Sequence, residues 1–373
     1  MNKKIWLGVA VAVVVVVVVL AIVFSRHGTD SALKIGATLP LSGDAAVWGK
    51  NTKEGIDLAV EEINAKGGVL GRKLEIVYED TRALPKDGVS AYHKLVSIDK
   101  VNAIIDDSVS SVTLAMAPLA KRDQVVILAT GATAPKISEA GVFRIWNSDS
   151  YEGEVIANYA FGKLGLRRVA ILYINNDYGK GLESVFKELF TAHGGQIAAS
   201  EGFGQSSTDI RAQLSKIKSA NPDGLYLVGY PKEIPIALRQ SKELGLTAKL
   251  LGTVAMHDPQ LIQTAGAAAE GLVFPYPKKP TGEQAKDFKM NFRKKYGKDP
   301  GITSDVGYDA AKMIAAAIAN TGNSTGEHIR KGLRLLVDYQ GASGVMTFDK
   351  NGDVHKPMGM MAVTRGEFTW QDQ

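Results

Sequence analysis

Hydroxyl-bearing and small residues follow two neighbouring apolar runs near the middle of the chain. The run 103–105 is followed by Ser110, and the run 125–129 is followed by Gly131 and Thr133. In open α/β sheets, ligands bind at the carboxyl ends of the strands, and a helix that begins there offers free N–H groups to an anion. These residues are therefore a candidate site for a carboxylate or a phosphate. The alternative is that the hydroxyls only cap helices.

Three aromatic residues occupy comparable positions after other predicted strands: Trp48, Tyr178 and Tyr230. Tyrosine and tryptophan combine an apolar ring with a hydrogen-bonding tip, which suits a ligand cleft. Each one alone is more often a packed surface aromatic. Together with Ser110 and Thr133, they favour a binding cleft between two lobes.

Enzyme and metal signatures are missing from the sequence. The six histidines are scattered, without the spacing of metal ligands, and no nucleophile elbow or phosphate-binding loop is present. Gly179 and Gly181 resemble the start of a dinucleotide fingerprint, but the third glycine is misplaced. We therefore expect no catalytic residue, no metal and no cofactor.

Strand and helix patterns alternate along the chain, which predicts parallel sheets covered by helices. This alternation of strands and helices runs from residue 34 to about residue 140 and restarts after residue 150, so two α/β lobes are favoured over one large sheet. Residues 40–50 are predicted to be a loop, and residues 275–277 an extended connector. A hairpin is expected from residues 347–354 and 359–363, around Asn351-Gly352.

The composition excludes several function classes. The chain has 373 residues, a formal net charge of +5 and no cysteine. A chain of this length favours two domains. The mild charge includes no basic block with interleaved aromatics, so nucleic-acid binding is not expected. Disulfides and thiolate metal sites are excluded.

The amino terminus carries an export signal. Residues 1–4 include Lys3 and Lys4, and residues 5–24 are an uncharged apolar run. A helix of this length reaches roughly 30 Å, the thickness of a bilayer core, and the lysines orient the remainder outward. The run is longer than a typical signal peptide and lacks a clear cleavage site. We expect an uncleaved anchor with a tether over residues 25–32; a cleaved signal is the alternative.

Five ordered segments carry a family resemblance: Leu39-Pro40-Leu41-Ser42-Gly43, Glu62 to Gly68, Asp107 to Ser111, Gly131 to Pro135, and Asp177-Tyr178-Gly179. They resemble the type I periplasmic binding proteins of ABC importers, in particular the branched-chain amino-acid (Leu/Ile/Val) group. The resemblance implies two Rossmann-like lobes joined by a three-strand hinge. It places lobe one at 33–150 and 277–345, and lobe two at 151–276 and 346–373.

The resemblance also assigns roles to site residues. Ser110 and Thr133 would hold a ligand carboxylate, and the carbonyl of Gly131 would receive an ammonium. Trp48 would cover the ligand, and Tyr178 and Tyr230 would face it from lobe two.

One position departs from the family pattern. The acidic partner of the ammonium is replaced by Val254, and burying an ammonium without a partner is costly. Asp107, Asp258 and Asp305 are candidate substitutes. Otherwise the ligand lacks an α-amine.

The resemblance implies a solute-binding protein that closes over a small carboxylate- or amide-bearing ligand and delivers it to ABC permease subunits. Because of Val254 and the broad face of Trp48, an aliphatic or aromatic acid or amide ranks slightly above a branched-chain amino acid. The alternative function is a membrane-tethered sensing domain that signals through a partner protein.

Overall fold

The computed structural model describes residues 32–106 and 109–371. The apolar run 5–24 and nearly all of the expected tether lie outside these residues. Within them, no helix is long and apolar enough to cross a membrane.

The first sheet has five strands in the order β2-β1-β3-β4-β5, all parallel. Its strands are β1 Leu33–Leu39, β2 Leu74–Asp80, β3 Ala103–Asp106, β4 Val126–Ala129 and β5 Phe143–Arg144. The helices between them are α1 Ala46–Ala65, α2 Pro85–His93 with a π-helical turn at Lys94–Ile98, α3 Ser110–Asp123 and the single turn α4 Lys136–Glu139. Most of these strand residues are buried, as expected for a parallel sheet covered on both faces.

The second sheet has seven strands in the order β14-β13-β10-β9-β8-β6-β7. Its strands are β6 Arg168–Ile174, β7 Gln196–Phe203, β8 Gly224–Val228, β9 Lys249–Leu251, β10 Val273–Pro277, β13 Met358–Thr364 and β14 Glu367–Trp370. Its helices are α5 Asp149–Asn158 with a π-helical turn at Tyr159–Lys163, α6 Asp177–Ala192, α7 Arg211–Ser219, α8 Ile234–Glu243 and α9 Pro259–Ala265, with 3-10 turns at Val254–Met256 and Gly266–Ala268. Strands β6 to β10 are parallel, whereas β13 runs antiparallel to both β10 and β14.

Three further helices return to the first sheet: α10 Glu283–Tyr296, α11 Ser304–Thr321 and α12 Gly326–Arg334. Helix α11 packs on α1, and α12 on β4. A small hairpin of β11 Tyr339–Gly341 and β12 Gly344–Met346 follows. The prediction of mostly parallel sheets flanked by helices is confirmed.

The chain passes between the sheets three times: after β5, after β10 and after β12. The crossings lie side by side. The Asn147 amide donates to the Lys356 carbonyl at 2.9 Å and accepts from the Lys356 N–H at 2.8 Å, and the Lys278 N–H donates to the Pro357 carbonyl at 2.8 Å. These bonds join the first and second crossings to the third.

Three local predictions differ from the structure. Residues 46–50 belong to α1, so Trp48 lies in the first helical turn. Residues 275–277 belong to β10 and are not a free connector. The hairpin around Asn351-Gly352 is wrong, because β13 pairs with β10 and β14.

Helices α1 and α11 approach so closely that glycine is required at the contact. A Cβ on Gly55 would lie 1.8 Å from the Ser304 carbonyl oxygen. We predict that Gly55→Ala lowers the free energy of unfolding by about 1–3 kcal/mol through overpacking, measured by urea denaturation. Gly162→Ala is the control, because nothing lies within 4 Å of its added Cβ. Equal stability of the two variants would contradict the prediction.

Candidate ligand-binding site

Both sheets reverse their strand order next to the predicted site residues. In the first sheet, the chain winds outward in both directions from β1 and β3, and in the second from β6 and β8. Trp48 and Ser110 follow β1 and β3, and Tyr178 and Tyr230 follow β6 and β8. Ligands of open α/β sheets bind at such switch points. The two switch points face each other across one cavity.

The cavity contains all six residues predicted from the sequence: Trp48, Ser110, Gly131, Thr133, Tyr178 and Tyr230. The cavity has a volume of about 40 Å³. Val254, the position that departs from the family pattern, also lines the cavity. Sequence reasoning did not name the other lining residues, which are Val109, Trp146, Ala255, Ile302 and Thr303. Trp146 lies in the first crossing, and Ile302 and Thr303 directly precede α11, whose position the local sequence pattern does not predict.

Ser110 is held by two backbone groups of the neighbouring loop. Its hydroxyl oxygen accepts from the N–H groups of Thr133 and Ala134, both at 3.1 Å. Because these two bonds occupy the lone pairs, the hydroxyl proton is left to donate. Ser110 also stands in the first turn of α3, where free N–H groups favour an anion. This end of the cavity is therefore suited to a carboxylate.

The aromatic side chains form one connected cluster. Tyr178 and Tyr230 stack with ring centroids 5.7 Å apart, and Trp48 meets Tyr230 edge-on at 5.6 Å. Tyr178 donates to the Thr253 hydroxyl at 3.0 Å, and the Asn176 amide donates to the Tyr230 hydroxyl at 2.8 Å. These two bonds hold the tyrosine rings in place on the second sheet, and Trp48, which follows β1 of the first sheet, packs against Tyr230.

Trp48 keeps an unused donor beside the cavity. Its indole nitrogen is buried and has no hydrogen-bond partner among the described residues. Its backbone carbonyl accepts from the Thr303 hydroxyl at 3.1 Å. Thr303 has φ +73°, and a β-branched residue in that region is strained and commonly marks a functional site.

The acids proposed to replace the family's ammonium partner do not line the cavity of Ser110 where the structure describes them. Asp107 lies outside the described residues. Asp258 caps α9, accepting from the Gln260 N–H at 2.9 Å, and Asp305 lines a second cavity of about 360 Å³. Neither Asp258 nor Asp305 lines the cavity of Ser110. Instead, Asp149 and Glu152, which the sequence reasoning missed, are fully buried beside it.

Comparison with known proteins places the chain in a family. The profile described as periplasmic binding protein matches residues 32–367. The chain belongs to the periplasmic binding protein family. The family resemblance predicted from the sequence is therefore confirmed.

Relatives of known name cover most of both chains. The leucine-, isoleucine-, valine-, threonine- and alanine-binding protein of Pseudomonas aeruginosa is 29% identical over 326 residues, covering 86% of this chain and 87% of its own. The leucine-binding protein LivK of Thermotoga maritima is 33% identical with a TM-score of 0.85, covering 91% of this chain and 98% of its own.

A third relative carries a different class of ligand. The solute-binding protein of an ABC transporter from Rhodopseudomonas palustris, solved with 3,4-dihydroxybenzoic acid, is 26% identical with a TM-score of 0.80, covering 90% of this chain and 95% of its own. These matches confirm the type I periplasmic binding protein fold, and all three relatives are named as binding proteins.

One buried guanidinium supports the loop that follows β4. Arg144 is fully buried and donates to Asp353 at 2.8 Å, to the Thr133 carbonyl at 2.8 Å and to the Ala134 carbonyl at 3.1 Å. It thereby joins the candidate site to the third crossing between the sheets.

Removing this guanidinium is predicted to be strongly destabilising. Arg144→Met leaves Asp353 as an uncompensated buried charge, so the free energy of unfolding should fall by about 3–5 kcal/mol. Denaturant titration measures the loss. Arg122→Met, which breaks an exposed pair with Asp123, should cost less than about 1 kcal/mol. A smaller loss for Arg144→Met than for Arg122→Met would refute the role of Arg144.

Proposed function

We propose that this protein is an extracytoplasmic solute-binding protein of an ABC importer that captures a small organic carboxylate between two lobes. The observation that carries the proposal is the cavity between facing switch points, with Ser110 and Thr133 on one side and Tyr178 and Tyr230 on the other. The lobes that close are proposed to be residues 33–150 with 277–345, and 151–276 with 346–373.

The carboxylate is proposed to bind Ser110 and Thr133. The Ser110 proton is directed by the two N–H groups that occupy its lone pairs, and the Thr133 hydroxyl lies on the same wall. The apolar part of the ligand would then contact Trp48, Trp146 and Ile302. One relative named for five amino acids and another solved with 3,4-dihydroxybenzoic acid support a carboxylate as the common element.

Removal of the two hydroxyls tests this assignment. A hydrogen bond to a charged group contributes about 1.5–3 kcal/mol, so Ser110→Ala or Thr133→Val should weaken binding by about 10- to 100-fold. The probe is whichever ligand gives the largest thermal shift among leucine, valine, their deaminated acids and 3,4-dihydroxybenzoate. Calorimetry then measures the dissociation constant.

The matched control is Ser111→Ala, because Ser111 is the next residue of α3 but does not line the cavity. It should leave the dissociation constant unchanged. Unchanged affinity in both Ser110→Ala and Thr133→Val would refute the carboxylate site.

Contacts between loops of the two sheets support the closed arrangement. Asp44, just before α1, accepts from the Lys232 ammonium at 2.7 Å and from the Ser206 hydroxyl. Burial raises the pKa of Asp44, but the hydrogen bonds from Lys232 and Ser206 outweigh it and hold that pKa below its usual value. The two partners follow β8 and β7, so these bonds join the two sheets' loops.

Removing the ion pair between Asp44 and Lys232 should weaken ligand binding, although neither residue lines the cavity. Exposed ion pairs contribute about 0.2–1 kcal/mol, so Asp44→Asn should raise the dissociation constant by up to about fivefold. The effect should shrink in high salt, which screens the charges. Asp209→Asn is the control, since Asp209 pairs with Arg211 of the same lobe. A larger effect at high salt would argue against an electrostatic contact.

Delivery to permease subunits and export are further parts of the proposal. The lysines and the apolar run at residues 5–24 support an uncleaved anchor in the cytoplasmic membrane. Such an anchor would raise the local concentration of the binding protein at its transporter. A sensing role through a partner protein would use the same capture step.

A further inference from the structure

The amino-terminal edge of the first sheet carries lysines that make no contact with the rest of the fold. Because β1 to β4 are parallel, the segments just before these strands all reach one edge, at the opposite end of the sheet from the cavity. Cations are common at such an edge, since they stabilise the carboxyl ends of the preceding helices. Here, however, four exposed lysines have no ion pair and no side-chain hydrogen bond among the described residues: Lys66, Lys73, Lys100 and Lys121.

The acids at this edge do not neutralise it. Asp99 pairs with Lys34 at 3.8 Å, and Asp123 pairs with Arg122 at 2.7 Å, so both carboxylates already have a cation. The edge as a whole, called the basic edge below, carries the cations Lys34, Lys66, Arg72, Lys73, Lys100, Lys121 and Arg122 and the acids Glu75, Asp99, Asp123 and Glu327. Its net charge is therefore positive, and the four unpaired lysines account for the excess.

One turn at the basic edge exposes an apolar side chain at the cost of backbone strain. Val69 and Arg72 exchange two backbone hydrogen bonds, at 2.8 and 3.0 Å, around a two-residue turn. Its central residues, Leu70 and Gly71, have φ of +52° and +77°. Turns of this kind favour Asn-Gly, because left-handed backbone is strained for a residue such as leucine. The Leu70 side chain is nevertheless 52% exposed at the tip.

A second apolar tip lies on the other side of β1. Ile98 ends the π-helical turn that precedes β3, and its side chain is 72% exposed. Because β2 and β3 are the two neighbours of β1, Leu70 and Ile98 flank the start of that strand. Apolar side chains that project among lysines are typical of surfaces that lie on a membrane interface.

The chain enters the fold between these two tips. The Leu33 N–H donates to the Lys73 carbonyl at 2.8 Å, and the Ala32 carbonyl accepts from the Arg72 guanidinium at 3.4 Å. The proposed tether over residues 25–32 can span at most roughly 29 Å, even if it is fully extended. The basic edge is therefore the part of the molecule that the proposed anchor would hold nearest to the bilayer.

The corresponding edge of the second sheet differs in both respects. Most of its cations are bonded to backbone carbonyls: Arg167, Arg168, Lys218 and Lys242. Such bonds to helix ends are the ordinary structural role of a cation at this position. In the described part of that sheet and its loops, no large hydrophobic side chain is exposed. The combination of unpaired lysines and apolar tips is thus specific to the first sheet.

We propose that the basic edge docks onto the surface of an anionic phospholipid bilayer, beside the anchor. The unpaired lysines bind lipid phosphates, and Leu70 and Ile98 enter the headgroup region. This inference rests on the anchor in the proposed function and goes beyond ligand capture, because it identifies the face that meets the membrane. The position of the tether and the two apolar tips favour lipid over an acidic partner protein.

Docking by the basic edge also fixes where the cavity stands. β1 has seven residues, and a strand rises about 3.3 Å per residue, so the cavity lies on the order of 20 Å farther from the bilayer than the basic edge does. In this pose the cavity faces away from the membrane, and the second sheet is the more distant one.

A fluorophore at the basic edge tests the pose. The chain has no cysteine, so Ile98→Cys gives a single labelling site for an environment-sensitive dye. The full chain is reconstituted into vesicles of phosphatidylcholine, with or without phosphatidylglycerol. The emission should shift to the blue with phosphatidylglycerol and not without it, and the shift should fade in high salt, which screens the charges. The same dye at Thr247→Cys, which is exposed just before β9, should not respond.

Substitutions then separate the charged and apolar contributions. At about fivefold per lysine near an anionic surface, Lys73→Gln/Lys100→Gln should lower the docking equilibrium constant by about 25-fold. Leu70→Ser should lower it by about tenfold, because an apolar contribution is lost. Lys163→Gln/Lys249→Gln is the matched control, since both lysines are at the corresponding edge of the second sheet. It should leave docking unchanged.

Three results would overturn the inference and leave ligand capture intact: no shift with phosphatidylglycerol, an equal shift in both kinds of vesicle, or an equal effect of the two double variants. A shift that appears only when permease subunits are added would assign the basic edge to a partner protein instead. Extraction of the chain from both kinds of vesicle by alkaline carbonate would overturn the anchor together with this inference. Calorimetry of Ser110→Ala tests ligand capture separately.

Discussion

The buried ion pair between Arg144 and Asp353 is the constraint on which the site depends. The guanidinium satisfies two carbonyls of the loop after β4, and the carboxylate belongs to the third crossing between the sheets. A buried charge of this kind is stable only while both partners are present. The position of the Thr133 loop is therefore set by a segment more than two hundred residues away in the chain. One side chain thus joins the third crossing to the loop that carries Thr133.

Much of this arrangement could be predicted from local sequence. Ser110 and Thr133 are recognisable because they follow apolar runs, and parallel strands bring their carboxyl ends to one edge. The hairpin was mispredicted because Asn351-Gly352 resembles a hairpin turn. In the structure, the Asp349 side chain accepts from the N–H groups of Asn351 and Asp353, which closes a local turn instead.

The buried acids Asp149 and Glu152 were missed because their sequence context resembles an ordinary helix start. Ser148 caps α5, accepting from the Ser150 N–H, and acidic residues in a first turn normally face solvent and favour the helix dipole. Only tertiary packing buries Asp149 and Glu152, since α5 contacts both α6 and β10. β10 was also misread, because Pro275 and Pro277 are unusual in strands. It tolerates them because only Val273 pairs with β9.

The cavity and the carboxyl groups behind its wall differ in when they are charged. The α3 terminus is positive at every pH, because its N–H groups are part of the backbone. Asp149 and Glu152 stand behind Thr133 and Val254, and an isolated buried carboxylate is costly. Burial therefore raises the pKa of both groups and favours their neutral forms. The positive end of α3 then dominates the charge at the wall formed by Ser110 and Thr133, which suits an anion there.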